Sequence, residues 1–170
     1  MDWTLLIVQL LNGLQLGVLL FLLAAGLTLI FGIMDFINLA HGSLYMVGAY
    51  FCATFTDVTD SFLLGVLIAL PLTFLVGMAV EIVVARPLYA RDHLDHVLAT
   101  FGVILFFDAL VHLVWGPEGK AIALPPFLDG QVELASGLVL PTYRVLIIAV
   151  GLLIALGLYG VVSWTRIGML

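Results

Sequence analysis

The sequence predicts an all-α fold, a polytopic transmembrane helical bundle of about five spans, and three observations carry that prediction. Of 170 residues, 64% are hydrophobic and 9% charged, against roughly a quarter charged in soluble domains. The apolar residues fall in blocks about 20 long, enough to cross a hydrocarbon core of about 30 Å at about 1.5 Å per residue. The blocks are also continuous. They lack the alternation of a membrane β-barrel, so helices must satisfy the backbone polar groups in lipid.

Hydropathy places the spans at about 5–31, 37–56, 62–85, 97–115 and 143–164. The first is read as a retained span rather than a signal peptide: Met1-Asp2-Trp3 carries no basic leader, and the apolar run outlasts signal-peptide length. The second span holds Cys52, the one cysteine, which can form no intrachain disulfide and reads as a small buried hydrophobe. After it comes the acidic connection Asp57-Val58-Thr59-Asp60. After the third come Arg86 and Arg91, then a charged turn from Asp92 to His96 read as solvated.

Lys and Arg are retained on the cytoplasmic side. The N-terminus and the connections around 57–61 and 116–142 are therefore expected outside, and 86–96 and the C-terminus inside, with Lys120 and Arg144 against that orientation. The long connection before the fifth span contains Pro117, Pro125, Pro126, Gly130 and Pro141, which forbid an uninterrupted helix. Segments 121–128 and 131–140 are expected as short strands or an interfacial hairpin. The fifth span leaves into a polar segment through Arg166, and an odd number of spans leads us to expect residues 1–170 to be the N-terminal part of a larger permease domain.

Soluble-enzyme signatures are missing. There is no Walker loop around the single lysine, Lys120, and His41, His93, His96 and His112 do not form a His-Glu-x-x-His zinc pair. No catalytic residue, metal or cofactor is expected. The net charge of −6 rests on few groups and includes no basic run, so no nucleic-acid partner is expected, whereas membrane lipid is.

Polar residues inside the spans are costly and point at partners, water or solute. Gln9, Asn12 and Gln15 recur every third residue and sweep an arc of about 120°. Gly13 and Gly17 beside them have a Gly-x-x-x-Gly spacing that permits close helix approach. That arc serves either interhelical hydrogen bonding or a solute path. Between Gly32 and Tyr50, Asn38 and His41 are expected on one helical face that Tyr45 extends, with Gly42, Ser43, Gly48 and Ala49 as small contacts around it. Asp35 and Asn38 have the alternative of capping the helix they precede or begin. Asp108 and His112, four apart, are expected to face the same way as a structural pair or a gate, and Glu81 to pair with Arg86.

The run Gly26-Leu27-Thr28-Leu29-Ile30-Phe31-Gly32, followed by Ile37-Asn38-Leu39-Ala40-His41-Gly42 and Gly48-Ala49-Tyr50, closely resembles branched-chain amino acid ABC transporter permeases. Arg86-Pro87-Leu88, Leu98-Ala99-Thr100-Phe101-Gly102, Trp115-Gly116 and Thr165-Arg166-Ile167-Gly168 support the resemblance.

The resemblance implies a permease subunit in a bacterial plasma or inner membrane. Its implied partners are a second permease subunit, two cytoplasmic ATP-binding subunits that hydrolyse ATP, and an extracytoplasmic solute-binding protein. It also implies a cytoplasmic coupling region beyond Arg166, expected to be absent here. Asn38, His41 and Gly42 are expected to line or shape the translocation path, with Gln9, Asn12 and Gln15 opposing them and Arg166 near the ATPase. Two alternatives stay open: a relative importing urea, amides or other amino acids, and a truncated helical fragment that does not transport.

Overall fold

The computed structural model describes residues 3–122, 125, 128–135 and 138–164. Five long helices dominate: α1 (Trp3–Met34), α2 (His41–Thr59), α3 (Phe62–Val80), α4 (His93–Trp115) and α5 (Thr142–Trp164). A two-stranded antiparallel hairpin, β1 (Gln131–Ala135) and β2 (Leu138–Pro141), precedes α5. Among the described residues, four helices are long and apolar enough to cross a membrane: Leu5–Met34, Phe62–Leu88, His93–Trp115 and Thr142–Ser163. The remaining long helix, α2, is 19 residues long, and His41, Thr54, Thr56 and Asp57 make it more polar. The outward faces of the others carry large apolar side chains, with Leu113 84% and Leu153 71% exposed. Water would not tolerate such surfaces, whereas lipid or a partner helix covers them. The chain is a multi-pass membrane protein.

The chain folds as two compact units, Leu27–Ala123 and Met1–Gly26 with Leu124–Leu170. In the first, α2 packs most closely on α3 and also on α4. Ala40, Val47, Val103 and Phe107 form its core, with Leu44, Val80 and Ile104 against them. A glycine permits the closest approach between α2 and α3. A Cβ at Gly65 would collide with Thr56 Oγ1 and would lie 2.9 Å from the Thr56 backbone nitrogen and 3.1 Å from the Cys52 carbonyl oxygen. At Gly48 a Cβ would lie 3.0 Å from Thr73 Oγ1. Thr73 in turn donates to the Ala69 carbonyl at 2.7 Å, beside the helix-interior Pro71.

At one end of this unit, Trp115 donates from Nε1 to Thr54 Oγ1 at 2.8 Å and its ring lies 5.1 Å from that of Tyr50. Lys120 reaches Asp57 at 2.9 Å. One of the two charges that count against the predicted orientation is thus paired with a carboxylate on α2.

In the second unit, Arg144 at the start of α5 donates to Asn12 of α1. A Cβ at Gly151 of α5 would collide with Val18 of α1, so the close α1–α5 contact forms there. Cβ atoms at Gly13 and Gly17 would meet nothing within 4 Å. The hairpin pairs Gln131 with Pro141 and Val132 with Leu140, with an irregularity between Glu133 and Ala135. Leu140 of β2 is buried, as is Leu128 before the hairpin. The expected strand in 121–128 does not form among the described residues of that segment.

Three helix boundaries differ from expectation. α1 runs to Met34, and the chain then leaves the helix over 35–40 before α2 begins at His41 rather than near 37. α3 loosens into a π-helical turn, Glu81–Ala85, and a short 3-10 turn, Arg86–Leu88. α4 starts at His93, so the supposed solvated turn supplies its first helical residues.

Substituting Gly65→Ala forces the α2–α3 contact apart and is expected to lower stability by about 1–3 kcal/mol. Gly157→Ala on α5, where a Cβ meets nothing within 4 Å, is expected to be neutral or to gain up to about 1 kcal/mol of helix propensity. Unfolding midpoints of the two variants in detergent check the contrast.

Candidate functional site

The non-helical stretch between α1 and α2 begins at Asp35, whose left-handed φ of 51° turns the chain out of α1. Its amide donates to the Phe31 carbonyl at 2.9 Å. Asp and Asn tolerate this conformation better than most residues. Asp35 therefore ends one helix and does not cap the next.

Asn38 lies outside α2, so it shares no helical face with His41; this corrects the expected arrangement. Its Oδ1 accepts the Ala40 amide at 3.1 Å, forming a local turn that leads into α2. The Leu39 amide crosses to α4, donating to Thr100 Oγ1 at 3.3 Å. Thr100 is buried and donates to the His96 carbonyl at 2.7 Å. One hydroxyl thus serves both as an acceptor for the broken segment and as a donor within its own helix.

His96 is 3% exposed, contrary to the solvated reading of its segment. Its Nε2 lies 2.8 Å from the Leu88 carbonyl, which can only accept, so this nitrogen carries the proton. Phe36 packs on the ring at 4.5 Å and on Tyr89 at 5.6 Å. Nearer the surface, His93 Nε2 faces Asp35 at 3.4 Å, closing the end of α1 onto the start of α4.

Glu81 pairs with Arg86 at 3.3 Å, as the spacing predicts, and also accepts the Tyr89 hydroxyl at 3.1 Å. Burial, followed by the Glu81 hydrogen bond and charge, raises the Tyr89 pKa, with Arg86 acting in the opposite direction. The phenol therefore stays neutral and remains a donor.

These elements enclose a cavity of about 190 Å³. Asn38, His41, Thr100, Glu81 and Tyr89 provide the polar part of its lining. Apolar lining comes from Ile30, Met34, Leu44, Val80 and Val84, and Gly77 contributes no side chain. The π-helical turn forms part of this wall. Such turns are frequent at functional sites.

The structure thus brings Asn38 and His41 to one cavity by a bend rather than along a helical face. Gly42 lies in the first turn of α2 outside the lining, and a Cβ there would meet nothing within 4 Å. Tyr45 and Ala49 are exposed. Gln9 is exposed, Gln15 is half-buried, and half-buried Asn12 is engaged by Arg144 in the other compact unit. Asp108 and His112 do face one another at 3.9 Å, but the shorter contact runs from His112 Nδ1 to the Asp108 carbonyl at 2.9 Å. Arg166 lies outside the described residues. The sequence reading missed Thr100 and Tyr89 as parts of this site. Thr100 stood inside a recognised motif, but its partner Leu39 is 61 residues away.

The family described as "Branched-chain amino acid transport system / permease component" matches residues 9–170. The high-affinity branched-chain amino acid transport system permease protein BraD of Pseudomonas aeruginosa is 32% identical over 94% of this chain and 56% of its own length. The corresponding LivH proteins of Salmonella typhimurium and Escherichia coli K12 are 31% and 29% identical, each over 72% of this chain and 42% of their own lengths. The chain spans about half the length of the curated relatives it matches. No solved structure matches it.

Replacing Thr100 with valine keeps the shape but removes both hydroxyl contacts. The Leu39 amide is expected to exchange with deuterium about tenfold faster, the equivalent of a lost buried hydrogen bond of about 1.4 kcal/mol. Thr100→Ser should retain most of the protection. Hydrogen exchange across 35–40 checks both variants.

Proposed function

This chain belongs to the permease component family of branched-chain amino acid transport systems, a family of transport subunits and not enzymes, and on that premise we propose that it forms part of the solute path of an ATP-driven importer for branched-chain amino acids. The observation that carries the reading is the cavity where α1 breaks before α2. Helix breaks and exposed polar groups are tolerated in membrane bundles where they line a cavity. Here the break brings Asn38 and His41 into a mostly apolar wall closed by the π-helical turn of α3. Such a wall suits a small solute with an aliphatic body and polar ends.

The chain supplies no group for bond chemistry in this reading. ATP hydrolysis belongs to two cytoplasmic ATP-binding subunits, a second permease subunit completes the path, and an extracytoplasmic binding protein delivers the solute. The proposed orientation puts the N-terminus outside and Arg86 and Arg91 in the cytoplasm. It is supported by the pairing of Lys120 with Asp57 at the opposite end of the Leu27–Ala123 unit. Gln9, Asn12 and Gln15 extend the proposed polar path, and Arg166 takes an ATPase-side contact.

The test is uptake by the assembled importer, comprising the whole permease, its ATP-binding subunits and its binding protein. Asn38→Leu is expected to reduce leucine uptake about tenfold, the scale of one lost polar contact, with membrane abundance little changed. Asn38→Asp keeps the acceptor for Ala40 and separates the turn from the path. Parallel losses of uptake and abundance in Asn38→Leu, restored together in Asn38→Asp, would make the residue structural and count against the reading.

A further inference from the structure

A glycine inside a helix costs stability relative to alanine unless a close neighbour or a conformational need requires it. The helix α3 holds two glycines, and their surroundings differ. At Gly65 the space for a Cβ is occupied by Thr56, so packing accounts for the missing side chain. At Gly77 a Cβ would meet only Leu44 Cδ1, at 3.7 Å, an ordinary contact. Packing therefore leaves room for a side chain at Gly77, and that room belongs to the cavity. Its neighbours in the wall, Leu44, Val80 and Val84, are aliphatic.

We propose that this part of the cavity seats the aliphatic side chain of the transported amino acid, and that Gly77 sets the size of side chain the seat accepts. The inference rests on the reading of the cavity as part of the solute path. A methyl group at position 77 extends into the seat without moving α2 or α3, and a larger group closes it. Shortening Val84 on the neighbouring wall has the opposite effect.

The experiment compares maximal uptake of leucine, valine and phenylalanine by the complete importer, each at saturating loaded binding protein so that capture affinity does not enter. Gly77→Ala is expected to lower the leucine rate about tenfold relative to valine, the scale on which an apolar pocket discriminates one methylene. Gly77→Val should lower it further, and Val84→Ala should raise phenylalanine relative to leucine. Membrane abundance is measured for each variant, and Gly77→Ala decides if the bulkier change disturbs folding.

An unchanged leucine-to-valine ratio in Gly77→Ala at normal abundance overturns the seat. If Asn38→Leu still lowers uptake of all three solutes about tenfold at normal abundance, the path reading survives that failure. If neither Asn38→Leu nor the Gly77 variants alter uptake, both fail.

Discussion

A membrane helix satisfies its own backbone, and a chain that leaves the helix must find other partners for the groups it releases. The segment 35–40 is where this chain meets that constraint. Asn38 accepts the Ala40 amide locally, and Thr100 accepts the Leu39 amide from α4. Ala40 is then fully buried in the core formed with Val47, Val103 and Phe107. The break is therefore tied to the packed centre of its unit. The cavity follows from it, because a continuous helix would carry Asn38 and His41 along one rod instead of folding both into a wall shared with α3 and α4.

The surroundings support the same bend. Phe36 packs between Tyr89 and His96, while His96 holds the Leu88 carbonyl after the regular hydrogen bonding of α3 has ended. Two irregular segments, one after α1 and one after α3, thus satisfy each other through α4. The Glu81 carboxylate joins Arg86 and Tyr89 at the rim. At the other end of this unit, Trp115 and Lys120 attach the start of the long connection to α2 through Thr54 and Asp57. Between these two ends, the small-residue contacts at Gly48 and Gly65 let α2 and α3 approach closely.

Much of the helical architecture was legible because lipid imposes length and continuous apolarity, which can be read one residue at a time. Local pairs at helical spacing were legible for the same reason. Glu81 meets Arg86, and Asp108 and His112 face each other. Hydropathy could not locate the start of α2, since Ile37, Leu39 and Ala40 are as apolar as a span requires; the boundary depends on the left-handed Asp35 and on a hydroxyl 61 residues from Leu39. His93, Asp95 and His96 read as a solvated turn because their composition is polar. They became helical, and His96 became buried, because Phe36 and Leu88 supply a ring face and a carbonyl from other elements. The glycines show the same division. Sequence spacing pointed to Gly13 and Gly17, while the close contacts within the two units fall at Gly65 and Gly151, whose partners are identified only by the fold.

The apolar character that places the chain in a membrane also makes selectivity difficult, because an aliphatic solute finds similar surroundings in lipid and in a helix interface. A path must distinguish solutes by shape and by a few polar groups. In the proposed path the cavity would supply both, with Asn38, His41 and Thr100 beside aliphatic walls and no side chain at Gly77. Glu81, Val84 and Ala85 of the π-helical turn share that wall with Gly77 and Val80 of α3. The break after α1 and the turn after α3 thus meet at one cavity, the first bringing Asn38 and His41 and the second bringing Glu81 beside the aliphatic Val84 and Ala85.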